Sequence, residues 1–137
     1  MLIRFDMPCI VGNCQALQFV QSMEIDPKSG WMWVIDAGRK NVFSPSPMND
    51  CPPKLVIIDL ASQSIMRRHI FPNDVLGYET NFVNDIVIDP INGDWAYMSD
   101  VGTGPLTGNP GGIIVYDFKN YCGLVSKTRS PEQSIAD

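Results

Sequence analysis

Asp26-Pro27-Lys28-Ser29-Gly30-Trp31 runs through Trp33-Val34-Ile35 into Asp36-Ala37-Gly38. A second stretch, Asp89-Pro90-Ile91-Asn92-Gly93 with Trp95, runs through Ala96-Tyr97-Met98 into Asp100-Val101-Gly102. The two are copies of one pattern. Asp26 and Asp89, like Gly30 and Gly93, stand 63 residues apart, while Trp31 and Trp95, like Gly38 and Gly102, stand 64 apart. A third apolar run follows each copy, Leu55-Val56-Ile57-Ile58-Asp59-Leu60 and Ile113-Ile114-Val115-Tyr116-Asp117-Phe118, with Asp59 and Asp117 58 residues apart. The spacing within each run is kept and the slack falls in the loops.

Each unit reads as an apolar strand, an Asp-Pro-x-x-Gly turn, an aromatic strand, an Asp-x-Gly turn, a long loop and a third apolar strand ending in Asp. Proline fixes φ at the turn entry and glycine supplies a positive φ, so this five-residue signal between apolar runs marks a hairpin. Several short strands per unit, repeated at a period of some tens of residues, are the sequence mark of β-propeller blades. The period exceeds that of the common propeller repeats, and loop insertions account for the excess.

A chain of 137 residues can bury a core of its own. It holds two units, whereas closed propellers use about four to eight blades, so the fold expected is all-β, part of a propeller. The net charge of -5, with no basic cluster beyond Arg67-Arg68, argues against a nucleic-acid groove or an anionic membrane surface as partner. The apolar runs are strand-sized, too short to span a bilayer. An acid and a proline interrupt the N-terminal stretch Met1-Leu2-Ile3-Arg4-Phe5-Asp6-Met7-Pro8 before an apolar leader core develops. The chain is read as part of a longer protein or as a truncated product, the absent leader fitting either a cytosolic protein or an N-terminus that lies outside the chain.

In order, residues 1–18 form a lead-in and 19–71 the first blade. Within that blade, Phe19 to Asp26 and Trp31 to Asp36 are strands, the second apolar on both faces. Asn41 to Pro53, with Pro45, Pro47, Pro52 and Pro53, is a long loop. Lys54 to Leu60 and Ile65 to Phe71 pair around Ala61-Ser62-Gln63-Ser64. Residues 82–120 form a second blade that lacks a fourth strand, with Thr103 to Gly112 as its long loop, and 121–137 are a divergent, disordered tail.

Several ordered stretches together resemble the yellow and major royal jelly protein family: Val20-Gln21-Ser22-Met23-Glu24-Ile25-Asp26, Trp33-Val34-Ile35-Asp36-Ala37-Gly38, Cys51-Pro52-Pro53-Lys54-Leu55, Phe82-Val83-Asn84-Asp85-Ile86-Val87-Ile88-Asp89 and Gly112-Ile113-Ile114-Val115-Tyr116-Asp117. The match covers roughly Gly12 to Asn120. The resemblance implies a secreted six-bladed propeller of which this chain holds about a third. It departs at both ends, in the missing leader and from Tyr121 onward. Among the four cysteines the resemblance favours a disulfide between Cys14 and Cys51, the alternative being free buried thiols in a reduced compartment.

Little else carries chemistry. No Cys-x-x-Cys occurs and His69 is the only histidine, so no structural zinc site is expected. His69 reads as a solvated outer-strand residue, and no Gly-x-Ser-x-Gly accompanies it. Gly102 to Gly112 lacks the Gly-Lys-Ser/Thr of a phosphate loop. The reading calls for no cofactor and no metal. Asp36 and Asp100, each followed by x-Gly, read as turn caps. Asn84 and Asp85 stand on the first strand of the second unit, where the first unit has Gln21 and Ser22. The first strand of a propeller blade lines the central channel, so two roles stay open for these residues, facing a ligand or ion, or making a structural Asx bond.

The function expected from the resemblance is binding of a small molecule, of aromatic amine or catechol type, in a central channel, with Gln21, Asn84 and Asp85 as this chain's contribution. The alternatives are a melanin-pathway enzyme of dopachrome-rearranging type with Asp85 as base, or a structural extracellular protein without catalysis. Two blades leave an apolar outer face on each side, so the chain alone is expected to self-associate.

Overall fold

A computed structural model describes residues 13–42, 44–102 and 111–127 of the chain, the last six as backbone. Eight strands follow in order: β1 (Val20–Ile25), β2 (Trp31–Asp36), β3 (Lys54–Asp59), β4 (Ser64–Ile70), β5 (Val83–Ile88), β6 (Trp95–Asp100), β7 (Gly112–Asp117) and β8 (Cys122–Lys127). They form two four-stranded antiparallel sheets, β1-β2-β3-β4 and β5-β6-β7-β8, each a meander in sequence order. The two copies of the sequence pattern are therefore two blades of a propeller. Among the described residues no helix is long and apolar enough to cross a membrane.

The turns explain the register. At Asp26 and Asp89 the backbone carbonyl accepts the amide of Gly30 or Gly93 at 2.8 Å, and both glycines take positive φ, 72° and 69°. The Asp side chain holds the inside of each turn. Asp26 accepts from the Lys28 and Ser29 amides and the Ser29 hydroxyl, and Asp89 accepts from Ile91 N–H and the Asn92 side chain. The β3-β4 turn repeats the device, with Asp59 accepting from Ala61 N–H and the Ser62 hydroxyl.

The expectation of an incomplete second blade and a divergent tail from residue 121 is corrected by β8. It pairs with β7 along its whole length, from Asp117 opposite Cys122 to Gly112 opposite Lys127. Asp117 caps this turn through Lys119 N–H, Asn120 N–H and the Asn120 side chain. Tyr121 takes the positive φ of 58° that Gln63, 55°, takes in the first blade. Gly123, Ser126 and Lys127 blur the strand in sequence, because an edge strand needs backbone partners on one side more than it needs apolar alternation. Residues 103–110 of the second long loop, residues 1–12 of the lead-in and residues 128–137 of the tail lie outside the described residues.

The blades pack face to face around one main core. Trp33, Ile35, Leu55 and Ile57 of the first meet Ile86, Ile88, Ala96, Met98, Ile114 and Tyr116 of the second, with Phe71 and Leu76 from the connector. On the far side of the first blade Val34, Val56 and Ile58 form a second cluster under Leu17, Leu60 and Ile65, so β2 and β3 are apolar on both faces as their sequence indicates. The sheets lie closest at β1 and β5 and open outward.

Large aromatic groups fill the wider part of this wedge. Trp33 meets Tyr116 and Phe118 with ring centroids 6.1 and 5.6 Å apart. The Arg67 guanidinium lies 3.7 Å over Phe118 and 3.8 Å over Tyr121 and donates to the Phe118 carbonyl. His69, expected on a solvated face, instead packs half-buried against Phe71 and Tyr116 at 5.0 and 4.8 Å. It lies on β4, but the second blade covers the face it occupies.

The lead-in is fixed covalently. Cys14 and Cys51 form a disulfide, with their Cα atoms 5.2 Å apart, as the family resemblance implied. It ties the entry to β1 to the end of the long loop and seats Leu17 on the far face of the first blade.

Candidate functional site

Both inner strands carry a β-bulge at the same repeat position. The register of β1 on β2 shifts between Val20 and Ser22, and that of β5 on β6 between Val83 and Asp85. Gln21 and Asn84 are thus the extra residues of their strands. A bulge re-aims side chains next to it, here on the two strands where the blades converge. Gln21 is half-buried and Asn84 exposed.

Asp85 is brought against the first blade. Its Oδ1 accepts from the Ser22 hydroxyl at 2.7 Å and from Ile86 N–H at 2.9 Å. These two bonds leave Oδ2 without a partner among the described residues, and the side chain is exposed. Next along β1, Glu24 Oε2 accepts from Ile88 N–H at 2.7 Å, closing the seam between β1 and β5 where no backbone ladder exists. Ser22 and Glu24 are therefore part of this cluster although sequence reasoning did not assign them to it. The signal was their alternation with Met23, which places both on the face toward the second blade.

Charge is one-sided here. The inner strands, Val20–Ile25 and Val83–Ile88, hold two carboxylates and no Lys or Arg. The other strand-end acids are committed to the frame. Asp36 accepts from the amides of Gln18, Phe19 and Gly38 at 2.8 to 2.9 Å and pairs with Lys54 at 2.8 Å, both side chains at 0% exposure. Asp100 accepts from Phe82 and Gly102 N–H at 2.8 and 2.9 Å, and the attraction of its carboxylate partly offsets the burial that lowers the pKa of Arg39. Both act as the turn caps the x-Gly pattern indicated. The turn carboxyls of Asp59, Asp89 and Asp117 lie below the usual carboxylate range, led by the Ser62 hydroxyl, the Ile91 amide and the Asn120 side chain respectively. For Asp26 burial pushes upward, but the Ser29 hydroxyl and the turn amides outweigh it.

Among the described residues no group of three His, Cys, Asp or Glu side chains could hold a metal ion. An open pocket of about 640 Å³, lined by Asn73, Gly77, Tyr78, Glu79 and Thr80, lies on the connector between the blades. It is lined by none of Gln21, Asn84 and Asp85 and is a separate feature.

Two antiparallel four-stranded blades, face to face and converging on polar inner strands, define a β-propeller-type protein. The family model for major royal jelly protein matches residues 18–121, and the chain belongs to that family. No curated protein matches the chain.

Proposed function

We propose that this chain contributes to a site for a small cationic molecule, of aromatic amine type, at the inner end of its blades, in a secreted protein. The carrying observation is the pairing of exposed Asp85, with Oδ2 open, and Glu24 on inner strands that hold no basic residue. An ammonium group supplies donors for the open carboxylate oxygen, and Gln21 and Asn84 offer amide groups on either side through their bulges. A carboxylate-rich lining favours a cation over a neutral catechol. Secretion accords with the Cys14–Cys51 disulfide, since such bonds persist in oxidising compartments.

Calorimetric titration of the chain with a protonated aromatic monoamine tests the reading. The expected result is saturable heat that Asp85→Asn weakens about 10- to 100-fold, the range for removing a hydrogen bond to a charged group. No heat from any aromatic amine, or equal affinity in Asp85→Asn, would remove this function.

A further inference from the structure

The chain contains one Asn-Gly dipeptide, Asn92-Gly93, and it lies in the turn that joins β5 to β6. Asn92 is exposed, and its neighbour Ile91 is 75% exposed. The dipeptide is chemically unstable for a reason that belongs to glycine. With no Cβ at residue 93, the backbone nitrogen there can approach the carboxamide carbon of residue 92 closely. Attack forms a bond from Gly93 N to Asn92 Cγ and breaks the Cγ–Nδ2 bond. Ammonia leaves carrying the amide proton, no electron is gained or lost, and water then opens the cyclic imide to aspartate or isoaspartate at position 92.

The fold holds both reacting groups through one residue, Asp89. Gly93 N–H donates to the Asp89 carbonyl at 2.8 Å, so the nitrogen that must attack has its proton engaged. Asn92 Nδ2 donates to Asp89 Oδ2 at 2.8 Å, and the Asn92 amide to Oδ1 at 3.4 Å, so the leaving nitrogen is held on the carboxylate. Reaction requires the turn to release these bonds. The first blade has the same turn without the reactive amide: Ser29 stands at the position of Asn92 and donates its hydroxyl to Asp26 Oδ2 at 2.6 Å.

We propose that Asn92 is a self-modification site that the folded turn withholds, so that its conversion to aspartate or isoaspartate marks chains whose β5-β6 turn has opened. An exposed turn opens locally at less free energy than the whole fold. The product then resists closure. A carboxylate at position 92 loses the donor to Asp89 and faces that carboxylate with like charge, and isoaspartate also lengthens the main chain within the turn. The turns of the two blades touch, since a Cβ on Gly93 would lie 3.4 Å from Asp26 Oδ2 and 3.6 Å from Lys28 Cδ. A new charge therefore enters a region that already holds Asp26 and Asp89, with Lys28 the cation that acts on both.

Incubation of the full chain, disulfide intact, in native buffer and in guanidinium chloride at one pH and temperature, followed by peptide mapping with mass spectrometry, tests this. The expected result is amide-to-acid conversion at Asn92 that is at least about tenfold slower in the native chain and absent in Asn92→Ser. Asp89→Ala frees the Asn92 side chain and is expected to narrow the difference while keeping a cooperative thermal transition. If that variant loses the transition, hydrogen exchange in the parent reads the same turn, with the Gly93 amide expected to be protected. The converted chain, separated by anion exchange, is expected to melt below the parent. Equal rates in native and denatured chain, conversion confined to other asparagines, a difference unmoved in folded Asp89→Ala, an unprotected Gly93 amide, or a converted chain as stable as the parent would each overturn the proposal.

Discussion

Asp36 and Asp100 solve one local problem 64 residues apart, each satisfying the amide of the strand entry beside it and that of the glycine two residues on. The glycine is required for two separable reasons. Gly38 has φ 69° and a Cβ there would overlap the Cys51 and Pro52 carbonyl oxygens, whereas Gly30 has φ 72° but open space around it. Gly30→Ala is therefore expected to cost about 1–2 kcal/mol from backbone conformation alone. Gly38→Ala adds an overpacking cost of about 1–3 kcal/mol, a difference that chemical denaturation of the two variants measures. His69 gives a pH prediction. Burial first, then the charge of Arg67, holds its imidazole below the ordinary value of 6.5. Between the folded value and 6.5 the unfolded chain binds a proton that the folded chain does not, so stability falls as pH falls through that window. The Asp59, Asp89 and Asp117 contributions are present above the ordinary carboxyl value of 3.8 and are lost below it. Stability measured from about pH 7 down to about pH 4 is expected to decline in the parent chain and to be flatter in His69→Phe.

At the scale of elements, β8 and the lead-in show how a weak sequence signal becomes a definite structure. β8 owes its place to the Asp117 cap, the positive φ of Tyr121 and a full ladder to β7. All three recur from the β3-β4 hairpin, and the 58-residue offset from Gln63 to Tyr121 was the available signal. The lead-in has no periodicity and depends on the disulfide. Cys14 and Cys51 are 37 residues apart, and closing a loop of that size restricts the unfolded chain by about 4 kcal/mol on the entropy model. Urea denaturation with and without reductant is expected to show a loss of that order. In Cys14→Ser the same loss is already present and reductant changes nothing further. Reduction is also expected to expose Val34, Val56 and Ile58, by releasing Leu17 from the cluster that covers them.

Across the whole molecule, two copies of one unit have acquired different surroundings. The expectation of a bare outer face on each side holds for the second blade, where Tyr97 and Ile113 are open, and not for the central residues of the first, which the disulfide-bound lead-in region covers. The asymmetry predicts that the isolated chain associates through the open face of the second blade alone while the disulfide is intact. Light scattering of the oxidised chain is expected to show small species. After reduction, with both faces available, growth to larger ones is expected, and unchanged particle size on reduction would count against this account. The candidate site is asymmetric too. Glu24 bonds the neighbouring blade's Ile88 amide, while its repeat counterpart is Val87, which has no acceptor to offer a further strand.

The amino-acid sequence by itself determined the two blades, because Asp-Pro-x-x-Gly and Asp-x-Gly act through their own backbone angles and short-range hydrogen bonds. Apart from β8 it likewise placed the strands, whose apolar character is a local property, and the family membership, which rests on ordered motifs. Gln21, Asn84 and Asp85 were legible as inner-strand polar residues, since position within the repeat fixes position in the blade. Only the tertiary structure decided that Ser22 and Glu24 join them, because those bonds cross between residues 63 and 64 apart and depend on how the two sheets converge. It also decided that His69 is enclosed by Tyr116 of the other blade, and that one apolar face is covered and its counterpart left open. Burial depends on what the rest of the chain places opposite a residue, and a strand's own pattern shows only that a face is apolar.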